Sequence, residues 1–252
     1  MSTPLVLSLF PGIGLLDMAF EEEGFCVVRG PDLLWGGDIQ RFHPPAGRFE
    51  GVIGGPPCQA FSRLRHMVEH NGYQTAPDLI PEFERCVAEA QPTWFLMENV
   101  PAAPLPGVGG YRVHAELLAD HWVGGVTSRL RRFSFGSRGG RRLQVEVLAL
   151  YRPDPEPAAL ASGSGREVPV AIGGSGKRKR RVTAVLSNGG YKTARAFREH
   201  CRKQGLPPDF DIPPFTVQAK VKAVGNGVPL PMGRAVARAV KCAMYPHLCE
   251  AA

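Results

Sequence analysis

The sequence predicts an α/β fold built on an open sheet with helices on both faces. Two observations predict it. Leu5-Val-Leu-Ser-Leu9 is an apolar run leading to a Gly12-x-Gly14 turn, after which Leu15, Met18 and Ala19 recur at helical spacing; strand, glycine turn and helix together make a cofactor cradle. Two later apolar runs, one ending at Gly54 and one spanning Thr93 to Val100, lead to residues with chemistry, Cys58 and Glu98. In open α/β sheets ligands bind where strands end. The chain has 252 residues, 44% of them hydrophobic, enough for one large core with a small insert.

Taken in order, the first turn depends on Gly12 and Gly14, which let the backbone come close to a bound group. A Gly-x-Gly pair alone also fits a tight turn, and the third glycine of the dinucleotide fingerprint is missing. The next strand is read at Phe25-Cys-Val-Val-Arg29, with Asp32 beyond it and Asp38 in Gly-Gly-Asp-Ile39. Residues 54 to 62 read Gly-Gly-Pro-Pro-Cys-Gln-Ala-Phe-Ser. Pro56 and Pro57 fix the backbone and present Cys58 where the chain leaves the sheet; for a lone cysteine, a buried inert thiol in a turn is the alternative. Glu98 and Asn99 close the run that begins at Thr93, and a carboxyl group after four apolar residues suits a proton donor or a satisfied structural carboxylate. Thr127-Ser-Arg-Leu-Arg-Arg-Phe-Ser-Phe135 sets Arg129 and Arg131 ahead of an aromatic strand. Arginine forks suit a carbonyl oxygen or a phosphate, though an arginine-rich edge strand has the same pattern. Gly225-Asn-Gly-Val-Pro-Leu-Pro231 is a helix start, after which Met232, Val236 and Val240 share one helical face and Arg234, Arg238 and Lys241 lie on others.

In this order, Phe10-x-Gly-x-Gly14, Gly55-x-Pro-Cys-Gln-x-Phe-Ser62, Glu98-Asn-Val100 and Gly225-Asn-Gly-Val-Pro-Leu-Pro231 resemble the conserved blocks F-x-G-x-G, G-x-P-C-Q-x-F-S, E-N-V and G-N-x-V-x-P of the DNA (cytosine-5) methyltransferase family, over residues 5 to about 240. The resemblance implies a Rossmann-like, S-adenosylmethionine-dependent methyltransferase sheet with helices on both faces and a small target-recognition region. It implies that Phe10, Gly12, Ile13 and Gly14 hold the methionine part of S-adenosylmethionine, that Asp32 takes the ribose hydroxyls and Asp38 the adenine amino group, and that Pro56, Asn226 and Val228 complete the cofactor site. Cys58 is then the nucleophile toward carbon 6 of cytosine, Glu98 the partner of ring nitrogen 3, and Arg129 and Arg131 the arginines beside the base. S-adenosylhomocysteine is the implied product of the cofactor. Because the target carbon is unreachable in a stacked duplex, the base must be flipped out. The polar stretch from Gln59 to Asp78, with Ser62, Arg63 and Arg65, is expected to close over DNA.

The sequence departs from the family pattern at Ser8, where an acid is usual, at Leu15, usually glycine, and at Thr127, usually glutamine. The chain between Asp32 and Asp38 is too short for the usual helix. Expected divisions are a catalytic, cofactor-binding core over 1–136, a small target-recognition region with a Gly/Pro-rich and basic loop over 137–190, and a return completing the core over 191–252.

Composition agrees with a nucleic-acid partner. The formal charge is +7, and Lys177, Arg178, Lys179, Arg180 and Arg181 form an uninterrupted cationic run, which reads as phosphate contact. Double-stranded DNA is the expected partner, with a cognate restriction endonuclease as a candidate and the oligomeric state open. No membrane partner is expected, because no apolar run reaches the length of a span. The six cysteines show no paired spacing, and a thiolate catalyst needs a reducing compartment, so a cytoplasmic, bacterial or phage-encoded enzyme is expected. His200, Cys201, Cys242, His247 and Cys249 invite a zinc site, but no Cys-x-x-Cys pair is present and no metal is expected. Three competing functions are weighed: a transfer-RNA cytosine-5 methyltransferase, a non-catalytic DNA-binding relative, and a nicotinamide-dependent oxidoreductase. The last leaves the Cys58 block unexplained.

Overall fold

Four parallel strands and an antiparallel hairpin form one six-stranded sheet. The computed structural model describes residues 3–58, 61, 77–148, 155–160, 163–170, 180–185 and 193–249. In chain order these contain β1 (Leu5–Leu9), α1 (Leu15–Glu22), β2 (Cys26–Arg29), β3 (Gly51–Gly54), α2 (Ile80–Ala90), β4 (Trp94–Asn99), β5 (Arg112–Ala119), β6 (Leu130–Ser137), β7 (Ala159–Leu160), β8 (Gly163–Val170), β9 (Arg180–Val185), α3 (Ala194–Lys203), α4 (Val217–Asn226) and α5 (Leu230–Met244). The large sheet runs β2-β1-β3-β4-β6-β5, and β7-β8-β9 form a separate antiparallel sheet. β1 pairs in parallel with both β2 and β3, while β4 pairs antiparallel with β6. Strand order therefore reverses at β1, and the crevice for a ligand lies outside the carboxyl ends of β1 and β3.

Both faces of this sheet are covered, which is why its strands read as continuous apolar runs rather than alternating ones. Val6, Ile53, Leu96 and Phe135 pack with Phe20 of α1 and Met232, Val236 and Val240 of α5. Leu7, Leu9, Val52, Phe95 and Met97 pack on the other face with Phe83, Cys86 and Val87 of α2. Each such side chain contributes roughly 1.5–3 kcal/mol of burial. A third cluster joins Leu15 and Ala19 of α1 to Phe197 of α3 and Val221 and Val224 of α4.

Close backbone contact sets the layer spacing. A Cβ on Gly51 would lie 2.1 Å from the Trp94 ring, and one on Gly233 would lie 2.8 Å from Ala19 Cβ, so α1 and α5 cross in direct contact. Arg234 and Arg238 flank that crossing and pair with Glu22 and Glu23. α2 carries a proline in its first turn and ends at Gln91, in the left-handed region at φ 52°. Thr193 and Thr216 cap α3 and α4 through Ala196 N and Ala219 N.

The short link after β2 holds two single-turn 3-10 helices, Leu33–Trp35 and Ile39–Arg41, each capped by the aspartate before it. One expectation is corrected here. Cys242 and Cys249 are joined as a disulfide with Cα atoms 5.1 Å apart, because the turn after α5 folds the chain back within bridging range. His200 places Nδ1 and Nε2 by the carbonyls of Ala196 and Leu160, and Cys201 is buried in the α3 cluster. Among the described residues no helix is long and apolar enough to cross a membrane.

Candidate active site

Three strand ends converge on one edge. β3 ends at Gly54, and the chain runs through Gly55, Pro56 and Pro57 to the half-buried Cys58. Neighbouring β4 ends in Glu98 and Asn99. Asn99, 1% exposed, ties the two ends together: its Nδ2 donates to Pro56 O at 3.2 Å and its Oδ1 accepts from Val100 N at 2.8 Å. Glu98 lies against Gly55, whose Cβ would sit 3.2 Å from Glu98 Oε2. Parallel pairing brings the thiol and carboxyl blocks, 40 residues apart in sequence, to one place.

β6 adds the arginines. Arg131 Nε lies 2.8 Å from Glu98 Oε1, both side chains largely buried, yet Oε1 receives no aligned hydrogen bond among the described residues. Burial, then the Glu98 charge, push the Cys58 thiol up from its ordinary range, while Arg131 and Arg129 pull it down. The site thus holds a protonated thiol in the free protein and two cations able to receive a thiolate.

Arg129 is placed differently from Arg131. Its Nη1 donates to Ala159 O (2.9 Å) and Gly225 O (3.0 Å), and Nη2 to Asn226 O (3.3 Å). At 4% exposure it joins β6 to β7 and to the end of α4. Burial, then Arg131, lower its pKa, while three carbonyl acceptors favour the charged form. Thr127, the departure at the start of this block, donates through N and Oγ1 to buried Asp120 at 2.9 and 2.7 Å.

The β1 turn forms the other half of the site. Phe10, Gly12 and Gly14 have φ of 55°, 56° and 81°, values that favour glycine at the latter two. Gly12 N donates to Asp32 Oδ2 at 2.8 Å, and Leu34 N donates to Asp32 Oδ1 at 2.7 Å. Asp32 therefore secures the glycine turn while standing beside it. Asp38 caps its own turn through Gln40 N. Arg85 of α2 holds that turn from below, donating to Ile39 O and Phe42 O at 2.8 and 3.0 Å. Trp35, 54% exposed, donates from Nε1 to Gly12 O at 2.6 Å. Ile13 packs on the α1–α3–α4 cluster. Asn226 ends α4 and Val228 is buried after it. Leu15 points inward beneath this loop, where a Cβ on Gly227 would lie 2.5 Å from it, so its extra bulk serves the core.

Gln59, Ser62, Arg63, Arg65, Lys177, Arg178 and Lys179 lie outside the described residues. Arg180 and Arg181 open β9, in register with Val170 and Pro169 of β8. Sequence reasoning passed over Asp17, Arg29, Trp35 and Arg85. A charged residue on the apolar face of the first helix, Asp17, was the available signal; the partners of Arg85 are loop carbonyls, which no local pattern reveals.

A family model described as C-5 cytosine-specific DNA methylase matches residues 36–104. Type II methyltransferase M.HgiGI of Herpetosiphon aurantiacus is 32% identical over 120 residues, covering 39% of this chain and 92% of that protein. Type II methyltransferase M.NgoPII of Neisseria gonorrhoeae is 31% identical over 116 residues, covering 38% of this chain and 33% of that protein. The chain spans from a third to about half of the length of the first curated relatives it matches. Among solved structures, the Entamoeba histolytica methyltransferase EhMeth superposes with a TM-score of 0.62 at 12% identity, covering 96% of this chain and 98% of that one, a likeness of fold.

Proposed function

The chain belongs to the C-5 cytosine-specific DNA methylase family, and on that premise we propose that it methylates carbon 5 of a flipped-out cytosine in duplex DNA through a covalent adduct at Cys58. The observation that carries this is the meeting of Cys58, the Glu98–Arg131 pair and the β1 glycine turn at one sheet edge.

S-adenosylmethionine fits the residues present. A Cβ on Gly12 would meet nothing within 4 Å, so the turn faces open space. Asp32 and Asp38 supply acceptors for hydroxyl and amino hydrogens, and Trp35 supplies an exposed aromatic face. Phe10, Gly12, Ile13, Gly14, Pro56, Asn226 and Val228 complete the cradle. When bound, this cofactor supplies an electrophilic methyl group on a sulfonium.

The residues act on the base. Glu98 accepts the proton of the Cys58 thiol, and the resulting thiolate adds to carbon 6 while Glu98 passes that proton to ring nitrogen 3. The Glu98 carboxylate is the acceptor for the protonated nitrogen, and Arg131, 2.8 Å from Oε1, keeps it in place. Addition makes carbon 5 nucleophilic. After methyl transfer, ring nitrogen 3 returns its proton to Glu98, and loss of the carbon-5 proton to water expels the Cys58 thiolate, re-forms the double bond between carbon 5 and carbon 6 and restores the ring. We assign the base carbonyl to Arg131, while Arg129 acts from behind, fixing the loop of Gly225 and Asn226.

We place target recognition in residues 137–190, with phosphate contacts from Lys177 to Arg181 and loop contacts from Gln59, Ser62, Arg63 and Arg65. The curated relatives named Type II methyltransferases support a restriction-modification setting with a cognate endonuclease, in the cytoplasm. The test is incubation with S-adenosylmethionine and, separately, mixed-sequence duplex DNA and transfer RNA, followed by digestion and mass spectrometry. 5-Methylcytosine in DNA is expected. Signal in RNA alone, or none despite cofactor binding, refutes the proposal.

A further inference from the structure

β1 carries serine at residue 8, and the structure puts a carboxylate beside it from another element. Ser8 Oγ donates to Asp17 Oδ1 at 2.5 Å, and Asp17, on α1, has no exposed surface. Its other oxygen, Oδ2, lies 3.0 Å from Arg29 Nε. Arg29 closes β2, and its guanidinium reaches over the glycine turn: a Cβ on Gly14 would lie 2.5 Å from Arg29 Nη2. Only a bare residue at position 14 lets a cation come so near the backbone. Asp17 engages the Nε edge, and the side chain as a whole remains 49% exposed at the mouth of the turn.

We propose that Arg29 binds the carboxylate at the amino-acid end of the cofactor, anchored for that task by Asp17 and Ser8. The proposal rests on the S-adenosylmethionine reading above and deepens it. That cofactor has one anionic group, its carboxylate, and a guanidinium fork matches a carboxylate in charge and shape. Gly14 begins α1 without a side-chain cap, so the amides of the first helical turn add a field of the same sign. An acid exposed at residue 8 would make the end of β1 negative. Here the acid is buried and paired, and the group presented at the mouth is a cation. The binding energy of the amino-acid end is thereby directed to its carboxylate.

The test is equilibrium binding of the full chain to S-adenosylhomocysteine and to its decarboxylated counterpart, which differ in this one group. The wild type is expected to prefer S-adenosylhomocysteine by about tenfold or more, the scale of one charge-assisted pair. Arg29→Gln is expected to bind both compounds alike, at the level the wild type shows for the decarboxylated one, and Arg29→Lys to keep part of the preference. Asp17→Asn is expected to narrow the ratio rather than weaken both compounds equally. A wild-type preference persisting in Arg29→Gln assigns the carboxylate to the α1 amides and overturns the proposal. So does tighter binding of S-adenosylhomocysteine by that variant, which makes Arg29 an obstruction. If the wild type binds neither compound, the cofactor reading fails first and this one with it.

Discussion

Replacing Asn99 with alanine isolates the joint between the thiol loop and the acid strand. The side chain is buried and makes two hydrogen bonds of different purpose: Nδ2 to Pro56 O holds the Cys58 loop, and Oδ1 from Val100 N finishes β4. Alanine leaves one carbonyl and one N–H without partners, each costing about 1–3 kcal/mol when buried. The total is about 2–4 kcal/mol once partial hydration is allowed for. Urea unfolding reads the part lost to global stability, and kcat under conditions where the variant is fully folded reads the part lost to placing Cys58. If about 1.5–3 kcal/mol of the loss falls on the loop, kcat falls roughly tenfold to a hundredfold. Asn99→Asp separates the two bonds, since an aspartate still accepts from Val100 N but offers Pro56 O a second acceptor. It is expected to lose kcat at least as severely as alanine. Wild-type kcat in a destabilised Asn99→Ala protein would show that the asparagine serves only the strand end. An unchanged stability as well would refute the burial argument.

Cys58→Ala is expected to abolish methyl transfer while leaving DNA binding intact, and turnover in that variant sinks the nucleophile assignment. Glu98→Gln has two opposite effects. The Glu98 charge raises the Cys58 thiol pKa, so removing it increases the thiolate fraction at any pH below that pKa; iodoacetamide labelling of the Cys58 peptide, followed by mass spectrometry, should speed up at fixed pH while methyl transfer falls. Slower labelling contradicts the assigned electrostatics. Neutralising Lys177 to Arg181 should weaken binding to all sequences alike and flatten the salt dependence, by about 0.9 in slope for each phosphate no longer neutralised. A defect confined to one target sequence would mean that the run reads bases.

Much of the site was legible because its signals are local. Pro56 and Pro57 before Cys58, the glycines around Gly12, and the apolar run ahead of Glu98 each announce a strand end within ten residues, and parallel pairing of β1, β3 and β4 then brings those ends together. The departures were harder to read. Leu15 looks disruptive in a glycine position until its side chain is seen in the core beneath Gly227. Thr127 looks like a lost functional group until it is seen donating twice to Asp120 Oδ2. Arg129 and Arg131, two residues apart in one arginine-rich block, read as equals. One meets Glu98, and the other is spent on carbonyls 30, 96 and 97 residues away.

By itself the sequence determined the strands β1 to β4 and the helices that start at Leu15 and Leu230, and it put the candidate residues Cys58 and Glu98 at strand ends, because apolar periodicity, proline and glycine act over a few neighbouring residues. Only the tertiary structure decided how the charged groups are shared out. Arg131 faces the acid, Arg129 locks the loop of Gly225 and Asn226, and Asp17 withdraws into the core to hold Arg29 over the glycine turn. In a buried site a charge persists only where a partner meets it, and such partners come from strands and helices that are neighbours in the fold and distant in the chain.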